Sequence, residues 1–199
     1  MNARAGSSLL AALVSFAVLA AASIGCAPTR QQETAKNIDR VRAEATPARL
    51  MERGDIAALG GDMTRAEQYY VSALHAGADE RVITTKLLLA CVTDGRFPSA
   101  ENYGEDYLRR HPLDTEVRYA LATVYLARQE LPQARAALEQ VVGERPDLAE
   151  AHYALATVLQ QESDASPEAA DQQLREYIRL EPQGTYADAA RASLVKSAP

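Results

Sequence analysis

The chain has 199 residues, 47% apolar and 24% charged, with a net charge of −6, no tryptophan and two phenylalanines. That allows one domain of about 150 residues whose core needs no disulfide. The acidic balance excludes a nucleic-acid partner, because phosphate binding needs a concentrated basic surface and no basic cluster here exceeds pairs such as Arg109–Arg110.

The chain opens with a short segment carrying one positive charge, Arg4, followed by an uninterrupted apolar-to-small run from Leu9 to Ala22. The run falls short of the roughly 20 residues that span a bilayer, but it suits the hydrophobic region of a secretory signal. It ends in Ser23-Ile24-Gly25-Cys26. This box resembles that of bacterial lipoproteins, in which a small residue precedes a cysteine that becomes lipidated; Ser23 departs from it where Leu is usual. The resemblance implies cleavage after residue 25, acylation of Cys26 and, with Ala27 rather than Asp following, sorting to the periplasmic face of an outer membrane. Cleavage after Ala20-Ala21-Ala22 is the alternative and would leave a soluble periplasmic protein. Cys91 is the only other cysteine, so an acylated Cys26 leaves no disulfide to form.

Residues 26–46 are polar, with Pro28 near their start, and Ile38 and Val41 are too few to build a core. They read as a flexible tether reaching about 25 Å.

From Pro47 onward the chain repeats itself. Tyr119-Ala-Leu-Ala-Thr-Val124 recurs as Tyr153-Ala-Leu-Ala-Thr-Val158, an offset of 34 residues. The same step aligns Ala66, Ala100 and Ala134, then Ala170 after a two-residue insertion in Ser163–Glu168, and it aligns Pro112, Pro146 and Pro182. Four units follow, 47–80, 81–114, 115–148 and 149–184. Their first halves show helical spacing, as in Val117, Leu121, Val124 and Tyr125. Breakers mark the turns (Gly60-Gly61-Asp62, Asp94-Gly95), and Pro98 and Pro132 stand at the start of second helices, where a missing N–H costs nothing. A helix pair cannot bury its apolar side alone, so the units must stack.

This pattern resembles the tetratricopeptide repeat (TPR), a 34-residue antiparallel helix pair with small residues at the eighth and twentieth places and proline at the thirty-second. It implies an all-α fold, a right-handed solenoid of antiparallel helix pairs, with residues 185–199 holding a capping helix (Tyr186, Ala190 and Leu194 in helical spacing). The departures are specific. Leu50, Thr84, Arg118 and His152 replace the fourth-place Trp, Arg53 replaces the seventh-place Leu, and Gly104 stands where a large residue is usual. An atypical first unit is expected, since terminal units carry a solvated face.

No catalytic, cofactor or metal site emerges. His75, His111 and His152 fall at different places in three units and make no ligand spacing. No carboxylate pair accompanies a nucleophile or base, and no strand carries a Gly-rich phosphate loop. An enzyme, a cofactor and a small-molecule substrate are therefore not expected. The resemblance implies instead a concave groove lined by the first helices, at about the second, fifth, ninth and twelfth places. These are Met51, Asp55 and Ala58, then Val82, Thr85, Leu89 and Val92. Tyr119, Thr123 and Leu126 follow, then Tyr153, Thr157 and Gln160. Tyr119 with Thr123 and Tyr153 with Thr157 share helix faces and offer area plus hydrogen bonds to a partner's peptide or helix. The groove lacks the Lys, Arg and Asn set by which family members clamp carboxylate tails. The fourth unit, with seven acidic and two basic residues, is the anionic end.

The implied function is a lipid-anchored adaptor in the assembly of an envelope complex, such as a pilus or secretin, outer-membrane protein insertion or polysaccharide export. A regulatory subunit delivering a cell-wall hydrolase or protease to substrates is the alternative.

Overall fold

The computed structural model describes residues 33, 34, 36, 45–163 and 165–197. The leader, Cys26 and nearly all of the tether lie outside the described residues; residues 33, 34 and 36 are helical. The compact unit from Glu44 onward contains, among the described residues, nine helices and no strand. They are α1 (Pro47–Leu59), α2 (Met63–His75), α3 (Glu80–Thr93), α4 (Phe97–Arg110), α5 (Thr115–Ala127), α6 (Leu131–Glu144), α7 (Ala149–Gln161), α8 (Pro167–Leu180) and α9 (Ala187–Ser197). The first eight helices form four successive pairs, one to each repeat unit. The last helix starts at Ala187, with Tyr186 just before it: the Tyr186 N–H donates to the Tyr177 hydroxyl at 2.9 Å and its carbonyl accepts from Ala190.

Local chemistry fixes the helix ends. Asp62, Asp79 and Asp114 cap α2, α3 and α5 by accepting from the backbone N–H three residues on, at 3.0, 3.0 and 3.1 Å. Asp114 also accepts from Tyr107 Oη at 2.7 Å. Its partial burial opposes ionisation, but these bonds win and hold the carboxyl below its usual range. The fifteenth place of the first three units is left-handed, with φ of +80° at Gly61, +70° at Gly95 and +62° at Gln129. Glycine takes this conformation freely and glutamine does not.

Packing follows the repeat. The twentieth-place alanines Ala66, Ala100, Ala134 and Ala170 are at most 2% exposed, which lets the backbones of a pair approach. The third, seventh and tenth places are buried in the second unit (Ile83, Leu87, Ala90), the third (Val117, Leu121, Val124) and the fourth (Ala151, Leu155, Val158). The contact is with the preceding unit: a Cβ built on Gly104 of α4 would lie 2.9 Å from Leu121 Cδ1 of α5. Gly104 is therefore small because Leu121 already occupies its side-chain space. In the first unit the same three places are Arg49, Arg53 and Ile56, all exposed.

The missing tryptophan is also explained. At its place Arg118 donates to the Pro112 carbonyl and lies 3.4 Å from Glu144. His152 has Nε2 3.1 Å from the Pro146 carbonyl and Nδ1 2.7 Å from Gln173 Oε1. Both side chains are buried. Arg191 of α9 bonds the Pro182 carbonyl in the same way. Each prolyl carbonyl is thus satisfied by a polar side chain of the following first helix. A second staple joins successive units at the twenty-first place, where Glu67 pairs with Arg96 and Glu101 with Arg128; at Arg135–Glu162, 3.1 Å, the signs are reversed.

Candidate protein-binding groove

The first helices of successive units touch one another, α3 with α5 and α5 with α7, and so form one wall of the array. Places two, five, nine and twelve lie on that wall between the rows buried in the core, since they fall between places three, seven, eight and ten. None of the thirteen side chains expected to line the groove is fully buried. Val82, Thr85, Leu89, Thr123 and Gln160 are exposed, and Met51, Asp55, Ala58, Val92, Tyr119, Leu126, Tyr153 and Thr157 are half-buried.

The wall changes character along its length. Between the first two units a cleft of about 490 Å³ is lined by Ala58, Leu59, Met63 and Leu89, with Asp55 and Lys86 among its polar groups. Leu89 is 67% exposed and Leu59 90%, so the apolar lining of this cleft faces solvent. The polar groups are already paired: Asp55 Oδ1 accepts from Lys86 Nζ at 2.7 Å and Tyr70 Oη at 2.8 Å, and Lys86 sits 5.7 Å from the Tyr70 ring centroid. Partial burial works against the Asp55 charge, yet the two hydrogen bonds hold its carboxyl below the usual value. This end therefore offers apolar surface with its charge neutralised internally.

The other end is aromatic. Tyr153 stacks on Tyr186 with centroids 4.4 Å apart and planes 9° from parallel, and Tyr177 closes the cluster at 5.4 and 6.2 Å. Burial, followed by the nearby Glu150 charge and Tyr186, raises the Tyr119 hydroxyl above its ordinary value. The threonines of the expected ladder have their donors occupied by their own helices: Thr85 bonds Arg81 O at 3.0 Å, Thr123 bonds Ala120 O at 2.7 Å and Thr157 bonds Tyr153 O at 2.9 Å. Toward a partner they offer acceptor oxygens and methyl groups, and the tyrosines carry the contact area.

A family model of the tetratricopeptide repeat matches residues 92–158, the stretch from the end of α3 through most of α7. That stretch carries the tetratricopeptide repeat, and the described helices share the fold of solved TPR proteins. Among solved structures, the chain is similar to YrrB, described as a TPR protein with an unusual peptide-binding site, with a TM-score of 0.62 at 18% identity over 80% of this chain and 86% of that one. It is similar to MamA from Desulfovibrio magneticus RS-1, with a TM-score of 0.61 at 17% identity, 80% and 99% of the two chains being covered. It also matches an O-GlcNAc transferase from Thermobaculum terrenum, with a TM-score of 0.59 at 22% identity over 69% of this chain but 26% of the transferase. At these identities the likeness is one of fold. No curated protein matches the chain in sequence.

The TPR array brings to the wall three residues that sequence reasoning did not assign to it. Lys86 neutralises Asp55 from the sixth place of the next unit. Glu150 and Tyr186 flank Tyr119 and Tyr153. Tyr186 had a readable signal: counting on past the two-residue insertion puts it at the second place of a fifth unit, in register with Val82, Glu116 and Glu150. Among the described residues no group of His, Cys, Asp or Glu is arranged to hold a metal ion.

Proposed function

We propose that this chain is a non-catalytic, lipid-anchored adaptor of a bacterial cell envelope, which holds a segment of another protein against its concave wall while an envelope complex assembles. The observation that carries the binding half of this reading is the make-up of the wall. Leu89 at 67% and Val82 at 39% exposure stand in one strip with the half-buried Met51, Val92, Tyr119 and Leu126. Met51, Val92, Tyr119 and Leu126 pack against the core with part of their surface and leave the rest to solvent beside Leu89 and Val82, and solenoids of this class present such concave surfaces to partners. The anchoring half is supported by the leader and its Gly25-Cys26 ending, by Ala27 for the outer membrane, and by a polar segment between Cys26 and α1 long enough to hold the array off the bilayer.

Two experiments test the two halves separately. Replacing Cys26 with alanine abolishes incorporation of a fatty-acid analogue and releases the protein to the soluble fraction; equal labelling of the variant refutes the anchor. In mild detergent the wild type co-purifies with a multiprotein assembly, and Leu89→Asp, on an exposed residue, disrupts that capture while leaving the helical circular-dichroism spectrum intact. Capture unchanged by Leu89→Asp refutes the concave wall as the binding surface.

A further inference from the structure

The carboxylates along the concave wall are not treated alike. Asp55 of the first unit is paired with Lys86 at 2.7 Å, and Glu116 of the third with Arg81 at 3.0 Å. The second pair joins the first place of one unit to the second place of the next. Repeating that geometry one unit later pairs Glu150 with residue 115, which is threonine, and Thr115 instead donates to Glu144 at 2.7 Å. Glu150 is exposed and makes no ion pair among the described residues. Beside it are Tyr119, half-buried, and the stacked pair Tyr153 and Tyr186, the latter 42% exposed. A carboxylate edged by partly exposed aromatic rings is the chemistry that receives a guanidinium, which stacks its plane on a ring while its N–H fork meets the two oxygens.

We propose that Glu150, Tyr119, Tyr153 and Tyr186 form a receptor for one arginine side chain of a partner's peptide segment lying along the concave wall. The same segment seats a large apolar side chain in the cleft between the first two units, against Leu59, Met63 and Leu89. Successive packed helices lie about 8–10 Å apart, so the two subsites, two helices apart, are separated by roughly 20 Å. An extended chain covers about 3.3–3.6 Å per residue, which puts the arginine about six residues from the apolar anchor. This inference rests on the concave wall being the binding surface and adds the chemistry and spacing of what binds there.

The test is selection of a randomised dodecapeptide library on the immobilised protein, followed by affinity measurement with the recovered peptides. Recovered sequences carry an arginine about six residues from a large apolar residue. Glu150→Gln weakens their binding by about tenfold or more, and selection repeated on that variant keeps the apolar residue and loses the arginine. Leu89→Asp has the converse effect. Both substitutions are on exposed side chains, and circular dichroism confirms that each variant is folded. Recovered peptides that lack a basic residue, or whose affinity is unchanged by Glu150→Gln while Leu89→Asp abolishes it, overturn the arginine receptor and leave the wall standing. Recovery of no peptide, or of peptides indifferent to both substitutions, overturns the wall and the receptor together.

Discussion

Gly54 and Tyr70 form a size-matched pair whose exchange can be measured. A Cβ built on Gly54 lies 2.4 Å from Tyr70 Cε1 and 2.6 Å from Cδ1. The ring is 3% exposed and pinned at its far end by the 2.8 Å bond from its hydroxyl to Asp55. Gly54→Ala sets two effects against each other. Alanine is favoured over glycine in a helix interior by about 1 kcal/mol. Overpacking costs about 1–3 kcal/mol, and a ring pushed off Asp55 loses a charge-assisted hydrogen bond of about 1.5–3 kcal/mol. The overlap wins, with a net loss of about 2 kcal/mol.

Tyr70→Leu alone leaves a void beside Gly54 and costs about 2–3 kcal/mol. Together the two changes reproduce what the third and fourth units hold at the same places, Ala122 with Leu138 and Ala156 with Leu174, all at most 2% exposed. The double variant should therefore be at least about 1.5 kcal/mol more stable than the sum of the single losses. Urea unfolding followed by circular dichroism measures this, with the slope checked for constancy. Units of an array can unfold separately, so the transition that contains α1 and α2 is the one compared. Additivity within about 0.5 kcal/mol, or a stabilised Gly54→Ala, refutes the pairing.

Three other outcomes follow from the structure. Gln129→Gly relieves a left-handed backbone at φ +62° and should raise stability by about 1 kcal/mol in the same urea assay; an unchanged or lowered midpoint counts against it. Burial, with the Glu67 charge adding to it, pushes the fully buried Cys91 thiol up to about 11. Its reaction with a disulfide reagent at neutral pH should thus track unfolding, and rapid labelling at Cys91 in the native chain would contradict this. Asp55 and Asp114 are held below their ordinary values, so the stability they add is present above the unfolded carboxyl value of about 4 and is lost as pH falls through their folded values. The urea midpoint should be flat from neutrality to about pH 5 and drop below about pH 4, with a smaller drop in Asp55→Asn; an equal drop refutes the role of Asp55.

Much of the architecture was legible because the repeat states it several times over. The 34-residue step, the Ala66, Ala100, Ala134 and Ala170 row and the proline row fix the helix pairs without knowledge of any single contact. What escaped were interactions between units, where residues far apart in sequence meet. Arg118 and His152 read as losses of a tryptophan, because nothing local to either residue points to the prolyl carbonyl it reaches. Gly104 read as an anomaly because its neighbour Leu121 belongs to the next unit. The left-handed Gln129 was hidden because glutamine gives no turn signal, although its register with Gly61 and Gly95 does. At the groove, the wall positions came with the resemblance to the tetratricopeptide repeat, whereas the pairing of Asp55 with Lys86 and the stacking of Tyr153 on Tyr186 depend on how units and the last helix meet.

The first unit shows why the array is not a string of interchangeable parts. At places three, seven and ten the later units carry Ile, Val or Ala, then Leu, then Ala or Val, all at most 3% exposed because the preceding helix pair covers them. Placing Arg53 or Arg49 at those sites would bury a charge without a partner, at a cost that exceeds what the unit's own packing returns. The converse also holds. A leucine at residue 53 would extend the exposed apolar strip already begun by Ile56, which is 62% exposed, and create a surface that invites association. Arg49 and Arg53 are therefore compatible with the first position of the stack alone, and Leu87, Leu121 and Leu155 with the later ones. Exchanging Arg53 with Leu87 should unfold the second unit's contact with the first and promote self-association through the new patch, both readable by urea unfolding and sedimentation. A monomer of wild-type stability carrying that exchange would mean that the seventh place does not set the order of the units.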